Sequence, residues 1–312
     1  MDPWELSLDD LADRLSHQGS RRRELAPRTR EQYLGDCRRV ARWLAAQGVE
    51  RPERVTPSAL EACFRDLEWA PSTRRRAVVA VRTWLGPLFP PNRSPGDLVD
   101  LPKLIERPIP RLSQAEAATV VDRAAGRVDL ELGGTTRALA LRNHALVEVL
   151  YGSGLRRQEA CDLTLAGVDF EHETVRVVGK GGKARTVPLT EPAVDALRRW
   201  LADGRSRLMR GRLEPASRAR VFVSRSGEPL DGSTVYRVVA GELRRAGRAG
   251  GPHLLRHATA THLLEGPGGQ DGAHLRVVQE VLGHGSLATT QRYTGVTTRA
   301  MQRALKRGHP RG

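Results

Sequence analysis

The sequence predicts a mainly α-helical protein of two domains, with one small β-sheet or hairpin in the second. Three observations predict it. Apolar residues recur at helical spacing through most of the 312 residues. One pair of short β-branched runs, 173–178 and 184–189, flanks the turn Gly-Lys-Gly-Gly-Lys. A proline-punctuated stretch from Pro87 to Pro110 separates two helical halves. The expected domains are residues 1–108, a helical domain with its linker, and residues 109–312.

Each element has a local warrant. A first helix is expected to begin over Asp9 to Leu15. The second runs from about Arg28 to Ala46, with Tyr33, Cys37, Val40, Ala41 and Leu44 at helical spacing. Thr56 before Pro57 is a start signal: the hydroxyl satisfies an orphaned backbone N–H, and proline lacks a donor the first turn leaves unused. The helix it opens carries Leu60, Cys63, Phe64 and Leu67. Ser72 opens a fourth, with Val78, Val81, Trp84 and Leu85 facing one way. Little helix is expected through 87–110, because proline fixes φ and removes donors. Ser113 and Glu116 have capping-box spacing and start the second domain's first helix. Helices continue to about Tyr151, then the hairpin, then a helix from Glu191 to Leu201. Phe222 and Val223 suggest a short strand, and helices follow to the end. In a helix over 274–282, Leu275, Val278, Val281 and Leu282 are expected to face the core, with Gly283 as a left-handed cap. Ser286 is expected to open a short helix ending near Tyr293, and GPGGQDG at 266–272 reads as a flexible loop.

Charge narrows the partners. The net charge is +15, and arginine far outnumbers lysine. Such an excess points to a polyanion, most often nucleic acid. Arg21, Arg22 and Arg23 form one basic run and Arg74, Arg75 and Arg76 another, each near a helix start where side chains and free N–H groups meet phosphates. A solvated charged face is the bland alternative. Cys37, Cys63 and Cys161 are scattered and form no CxxC pair, so neither a disulfide framework nor a zinc site is expected. No apolar stretch approaches a membrane span and the N-terminus lacks a signal-peptide core, so a cytoplasmic location without a membrane partner is expected.

Six residues carry candidate chemistry. They are Arg156 in GLRRQE, Lys180 at the hairpin tip, His253 and Arg256 in HLLR, His284 in LGHGS, and Tyr293 in QRYTGV. Two guanidiniums, an ammonium and two imidazoles would converge on something strongly anionic, and a phenol would supply a nucleophile. Breaking a phosphodiester without a metal requires such a set, and no cofactor or metal is expected. A phenol with a pKa near 10 is a poor nucleophile at neutral pH, and surrounding cations favour the phenolate. Planar, bidentate guanidiniums suit phosphoryl oxygens better than ammonium groups. Lys183 and Arg185 add charge beside the tip and are expected to touch DNA. Arg157 is expected to face away from Arg156, and one of the nearby His257 and His262 reads equally well as a satisfied core residue. Singly, each member has an ordinary structural reading; the joint order and spacing carry the argument.

From about residue 141 onward the chain closely resembles the catalytic domain of the tyrosine recombinases. The matching motifs, in order, are GLRxxE, GKGxKxRxVPL, HxLRHxxATHLL, VQxxLGHxxxxTTxxY and a basic tail. They are most similar to those of the bacterial Xer recombinases and their integron and phage integrase relatives. Residues 1–108 resemble that family's core-binding helical domain more loosely, through Thr29, Tyr33 and Trp43. The resemblance implies a two-domain clamp around duplex DNA and a site-specific recombinase that works through a 3′-phosphotyrosyl intermediate. Arg156 and Arg256 would clamp the scissile phosphate and His284 would support it. His253 would orient it and assist proton movement, Lys180 would protonate the leaving 5′ oxygen, and Tyr293 would attack.

The resemblance further implies a homotetramer, or a heterotetramer with a paralogue, on two synapsed DNA sites within the nucleoid. It also implies that the tail after about Arg299 docks on a neighbouring protomer. Two departures stand out: the 266–272 loop is longer than expected, and Gly167 replaces a frequent aspartate. The rival readings are a non-catalytic DNA-binding or architectural protein and a type IB topoisomerase. Six filled positions weigh against the first, and the Xer-like spacing with a compact first domain against the second. Chromosome dimer resolution and mobile-element integration both stay open.

Overall fold

A computed structural model describes residues 2–17, 25, 27–103, 110–131, 133–179, 182–209, 211, 215–267, 272–283 and 298–311. It divides the chain into two units, Met1–Pro108 and Ile109–Gly312. The first unit holds α1 (Pro3–His17), α2 (Pro27–Ala46), α3 (Pro57–Asp66) and α4 (Pro71–Leu85). Helix α1 begins well before Asp9, because the Asp2 carboxylate accepts the Trp4 N–H at 3.0 Å and the Trp4 ring packs 5.9 Å from that of Trp84. Trp84 is fully buried, and its indole N–H donates to Ser7 Oγ at 2.8 Å. Arg14 donates to the carbonyls of Thr83 and Trp84, which the end of α4 leaves without helical partners. Thr56 caps α3 as its sequence demands, accepting from the Ala59 N–H at 3.2 Å. Beyond α4 the prolines permit only short 3₁₀ turns, Gly86–Leu88 and Pro95–Leu98.

The second unit is built on α6 (Gly134–Ser153), which is apolar on almost every side and buried through most of its length. It packs against α5 (Gln114–Leu130), whose Ser113–Glu116 capping box is formed in both directions. After α6 come α7 (Arg157–Asp162) and a three-stranded antiparallel sheet of β1 (Val168–Asp169), β2 (Thr174–Val178) and β3 (Ala184–Pro188), in that order. The hairpin is the expected one. Strand β1 escapes sequence reading because two residues carry no periodicity. Then follow α8 (Glu191–Arg199), a π-helical stretch Trp200–Arg205 and α9 (Ser206–Leu208), so the helix expected to stop at Leu201 continues past it. Phe222 and Val223 form no strand; the segment makes only isolated bridges, Thr164 with Arg220 and Val223 with Pro229.

The remaining elements are α10 (Pro215–Ala219), α11 (Gly232–Arg245), α12 (Pro252–Glu265), α13 (Leu275–Leu282) and α14 (Thr298–Gly308). Helix α13 buries Val278, Val281 and Leu282, but Leu275 is 55% exposed, because it opens the first turn at the solvent end. Gly283 ends α13 at φ +64°, as a left-handed cap requires. Helix α14 packs on α12, α13 and β3 of its own unit, with Leu305 and His309 buried. In the single chain the tail, expected to dock on a neighbouring protomer in the DNA-bound assembly, is seated on its own unit. Arg311 explains it: this residue neutralises Glu148, a 1%-exposed carboxylate on α6, at 2.7 Å. The three cysteines are free and buried. Among the described residues no helix is long and apolar enough to cross a membrane.

Candidate active site

Helix α6 ends at Gly154, with φ +63°. A side chain there would strike Leu282 and Thr259, so glycine lets α6 end directly against α12 and α13. Two residues on, Arg156 is the N-cap of α7. Its backbone N–H donates to Glu159 Oε2 at 2.8 Å and its Nη1 to Glu159 Oε1 at 2.9 Å. Its Nη2 reaches the Gly283 carbonyl at 2.7 Å. A groove of about 790 Å³ opens beside it, lined also by Gln158, Arg176 and Arg220.

Arg256 lies on α12, 7% exposed. Its guanidinium donates to the Gly154 carbonyl and, at 2.6 Å, to the Leu282 carbonyl. Burial and then the Arg156 charge push its pKa down to about 10, the mark of a cation held in a low-dielectric, cation-rich place. Arg185 on β3 adds a third guanidinium, donating to Glu159 Oε1 at 2.6 Å and Oε2 at 2.9 Å. Burial alone would raise Glu159, but hydrogen bonds from Arg185 and from the Arg156 N–H hold its carboxyl below the usual range. Three guanidiniums thus meet around one buried carboxylate and the carbonyls that end α13.

His253, one turn before Arg256 on α12, is exposed. Its pKa is lowered, first by partial burial and then by the charges of Arg157, His257, Arg256 and Arg156. Arg157 therefore does not leave the site as expected; it lies against Gly232 at the start of α11, within electrostatic reach of His253. His262 is the satisfied core histidine: its Nδ1 bonds the Tyr151 hydroxyl and its Nε2 the Leu112 carbonyl, each at 2.9 Å. Lys180, His284 and Tyr293 lie outside the described residues, as do Arg21, Arg22 and Arg23. By chain position Lys180 falls in the turn between β2 and β3, and His284 directly follows Gly283.

The basic residues expected on DNA divide. Lys183 is exposed. Arg185 is engaged with Glu159. Arg76 is paired with Asp36 on α2 at 2.7 and 3.0 Å, Arg74 lies 5.9 Å over the Phe64 ring, and Arg75 is exposed. The sequence reading passed over Glu159 and did not anticipate its pairing with Arg185. Both had a signal. Glu159 stands three residues after Arg156, the reach-back spacing of a helix start. Arg185 shares strand parity with Val187, which is fully buried.

The phage integrase family model matches residues 125–299, the span that holds this site. The tyrosine recombinase XerC of Mycobacterium bovis is 38% identical over 301 residues, covering 91% of this chain and 93% of that protein. The chain belongs to the phage integrase family. Within the family, the tyrosine recombinase XerD of Mycobacterium leprae is 35% identical over 304 residues, covering 93% of both chains. The fold agrees with two solved structures. The XerH site-specific recombinase bound to its difH substrate superposes with a TM-score of 0.64 at 19% identity, over 97% of this chain and 96% of that one. A lambda integrase tetramer bound to a Holliday junction gives 0.61 at 16% identity, over 94% and 80%. The mainly helical architecture with its small sheet is this family's.

Proposed function

We propose that this chain is a tyrosine-type site-specific recombinase that cuts and rejoins duplex DNA through a 3′-phosphotyrosyl intermediate. Kinship with XerC and XerD supports the reaction class. The site itself rests on one observation: Arg156, Arg185 and Arg256 converge while, among the described residues, only Glu159 answers them in kind. Such a surplus of fixed positive charge suits a phosphate gaining charge in a transition state.

In this reading Arg156 and Arg256 exchange backbone carbonyls for the oxygens of the scissile phosphate. His284 supports the same phosphate. The Tyr293 phenol oxygen bonds to phosphorus as the bond to the 5′ oxygen breaks, and Lys180 supplies the proton that oxygen takes. His253, its pKa lowered by partial burial and then by its cationic surroundings, assists the phenol's loss of a proton. One ester replaces another, so rejoining needs no nucleotide hydrolysis. Four copies, or two of this chain with two of a paralogue, act on two DNA sites in the cytoplasm. Arg21, Arg22, Arg23, Arg74, Arg75 and Lys183 contribute phosphate contacts from either unit.

A nicked suicide duplex tests the reading. The wild-type chain is expected to become covalently attached to it, and Tyr293→Phe to bind with nearly unchanged affinity but never attach. Attachment by the variant would move the nucleophile elsewhere. A wild-type chain that shifts DNA without attaching would be a binding protein, and one that only relaxes supercoils a topoisomerase.

A further inference from the structure

We propose that Arg185 is a positioning residue for cleavage, fixing the base of the β2–β3 arm against α7 and the end of α13, and is not a DNA contact. The inference rests on the recombinase reading above. The strand register pairs Arg185 with Val177, so it points to the same face as the buried Val187, while its neighbours Ala184 and Thr186 face solvent. Its fork closes on both oxygens of Glu159, at 2.6 and 2.9 Å, and Nη2 also leans on the Leu282 carbonyl at 3.4 Å. Its Nε lies over Gly283. A Cβ at that position would sit 2.6 Å from Nε and 2.7 Å from Cζ, so the glycine at φ +64° serves both the helix cap and the guanidinium.

One side chain therefore joins three segments: β3, α7 and the end of α13. These carry, by chain position, three of the proposed site residues. Lys180 lies in the turn between β2 and β3, Arg156 shares Glu159 with Arg185, and His284 follows Gly283. Beyond the strand ladder, the turn is closed by the Gly179 N–H donating to the Lys183 carbonyl at 2.8 Å and the Gly182 N–H to the Gly179 carbonyl at 3.2 Å. Those bonds hold the arm together but do not fix where it stands relative to α7. Arg185 does so by direct bonds, beside the core packing of Val175, Val177 and Val187. The side chain is 18% exposed, both Nη atoms are engaged, and the unpartnered Nε is buried over Gly283, so a phosphate could bind the fork only by breaking the Glu159 pair. Exposed Lys183, two residues earlier, has no such commitment. A lysine at 185 would keep the charge but lose the fork that fixes two oxygens at once.

The test uses full-length Arg185→Lys and the paired variant Arg185→Met/Glu159→Gln, which removes both charges so that neither is left buried alone. Two suicide duplexes are compared, one with the ordinary 5′ oxygen at the scissile phosphate and one with a 5′-bridging sulfur, whose thiolate leaves without protonation. Both attachment rates come from the same preparation, so their ratio is independent of the folded fraction. DNA affinity is measured across salt. A displaced arm is expected to slow the oxygen substrate on the order of a hundredfold in both variants. The sulfur substrate should be slowed at least about tenfold less than the oxygen one, because no acid is needed and only a shift of Arg156 through Glu159 would remain. Affinity and its salt slope should hold. A sulfur-to-oxygen ratio equal to wild type, or loss of product on both substrates in both variants, overturns the proposal. Weaker binding with a shallower salt slope overturns it too, and returns Arg185 to the DNA surface. A wild-type chain that attaches to neither substrate instead overturns the recombinase reading itself.

Discussion

Arg74, Arg75 and Arg76 are adjacent in sequence and have three different fates. Each step along α4 turns the side chain by about 100°. That rotation sends Arg76 inward to Asp36, lays Arg74 over Phe64, and leaves Arg75 exposed with one donor on the Pro102 carbonyl at 3.3 Å. A basic run in a sequence is therefore not three equivalent DNA contacts. Arg76→Ala is expected to lower the stability of the first unit by about 1–3 kcal/mol, discounted for its one-third exposure, because it strands a buried carboxylate. Pairing Arg76→Met with Asp36→Asn should restore most of that in thermal melts. Arg75→Ala should leave melting unchanged and reduce the salt slope of DNA binding by about 0.9. His253 supplies a pH signature at the same scale. Its lowered pKa keeps the imidazole neutral to more acidic pH than usual, so the acid limb of kcat/KM for cleavage should fall below about 6.5. A limb at or above the ordinary histidine value would contradict the assignment.

Helix α14 shows how one element can be held by two residues beyond its own end. Arg311 bonds Glu148 at 2.7 Å and Asp122 at 2.8 Å, and the His309 ring lies tilted against that of Tyr151, with centroids 4.6 Å apart. Burial first, then the charge of His262, pushes His309 down to about 3. The released segment binds a proton near 6.5 and the docked one near 3, so docking is strongest above about pH 6.5 and weakens as pH falls. At pH 5 the loss is about 2 kcal/mol. Hydrogen exchange of the α14 amides, corrected for intrinsic rate, should accelerate between pH 6.5 and 5, and His309→Asn should flatten the change. Arg311→Ala should free the same helix at neutral pH, because Glu148 loses its main counter-ion. Protection of α14 that ignores both changes would mean the helix is anchored elsewhere.

At the scale of the molecule, a net charge of +15 makes binding to DNA a counter-ion release process. Affinity should fall linearly on logarithmic axes with salt. Recombination between two matched sites should persist in excess EDTA, since the proposed charge on the phosphate comes from Arg156, Arg256, Lys180 and the histidines. Loss of cleavage in EDTA, restored by magnesium, would contradict that chemistry.

By itself, the sequence determined the fold class, the site motifs and most element starts. These depend on residues close in the chain: Thr56 before Pro57, Ser113 with Glu116, Gly283 after an apolar helix. The order of GLRRQE, the hairpin and HLLRH was likewise legible, because each motif is local. Only the tertiary structure decided what those residues touch. Arg185 was a surface charge until β3 was registered on β2 and turned it onto Glu159. The tail's own-chain seat depended on Glu148, 163 residues before Arg311, and Arg256 found its acceptors 102 and 26 residues away. Local rules act through the backbone's own hydrogen bonds and sterics. Pairings across long separations follow from packing, which a linear pattern of polar and apolar residues does not encode.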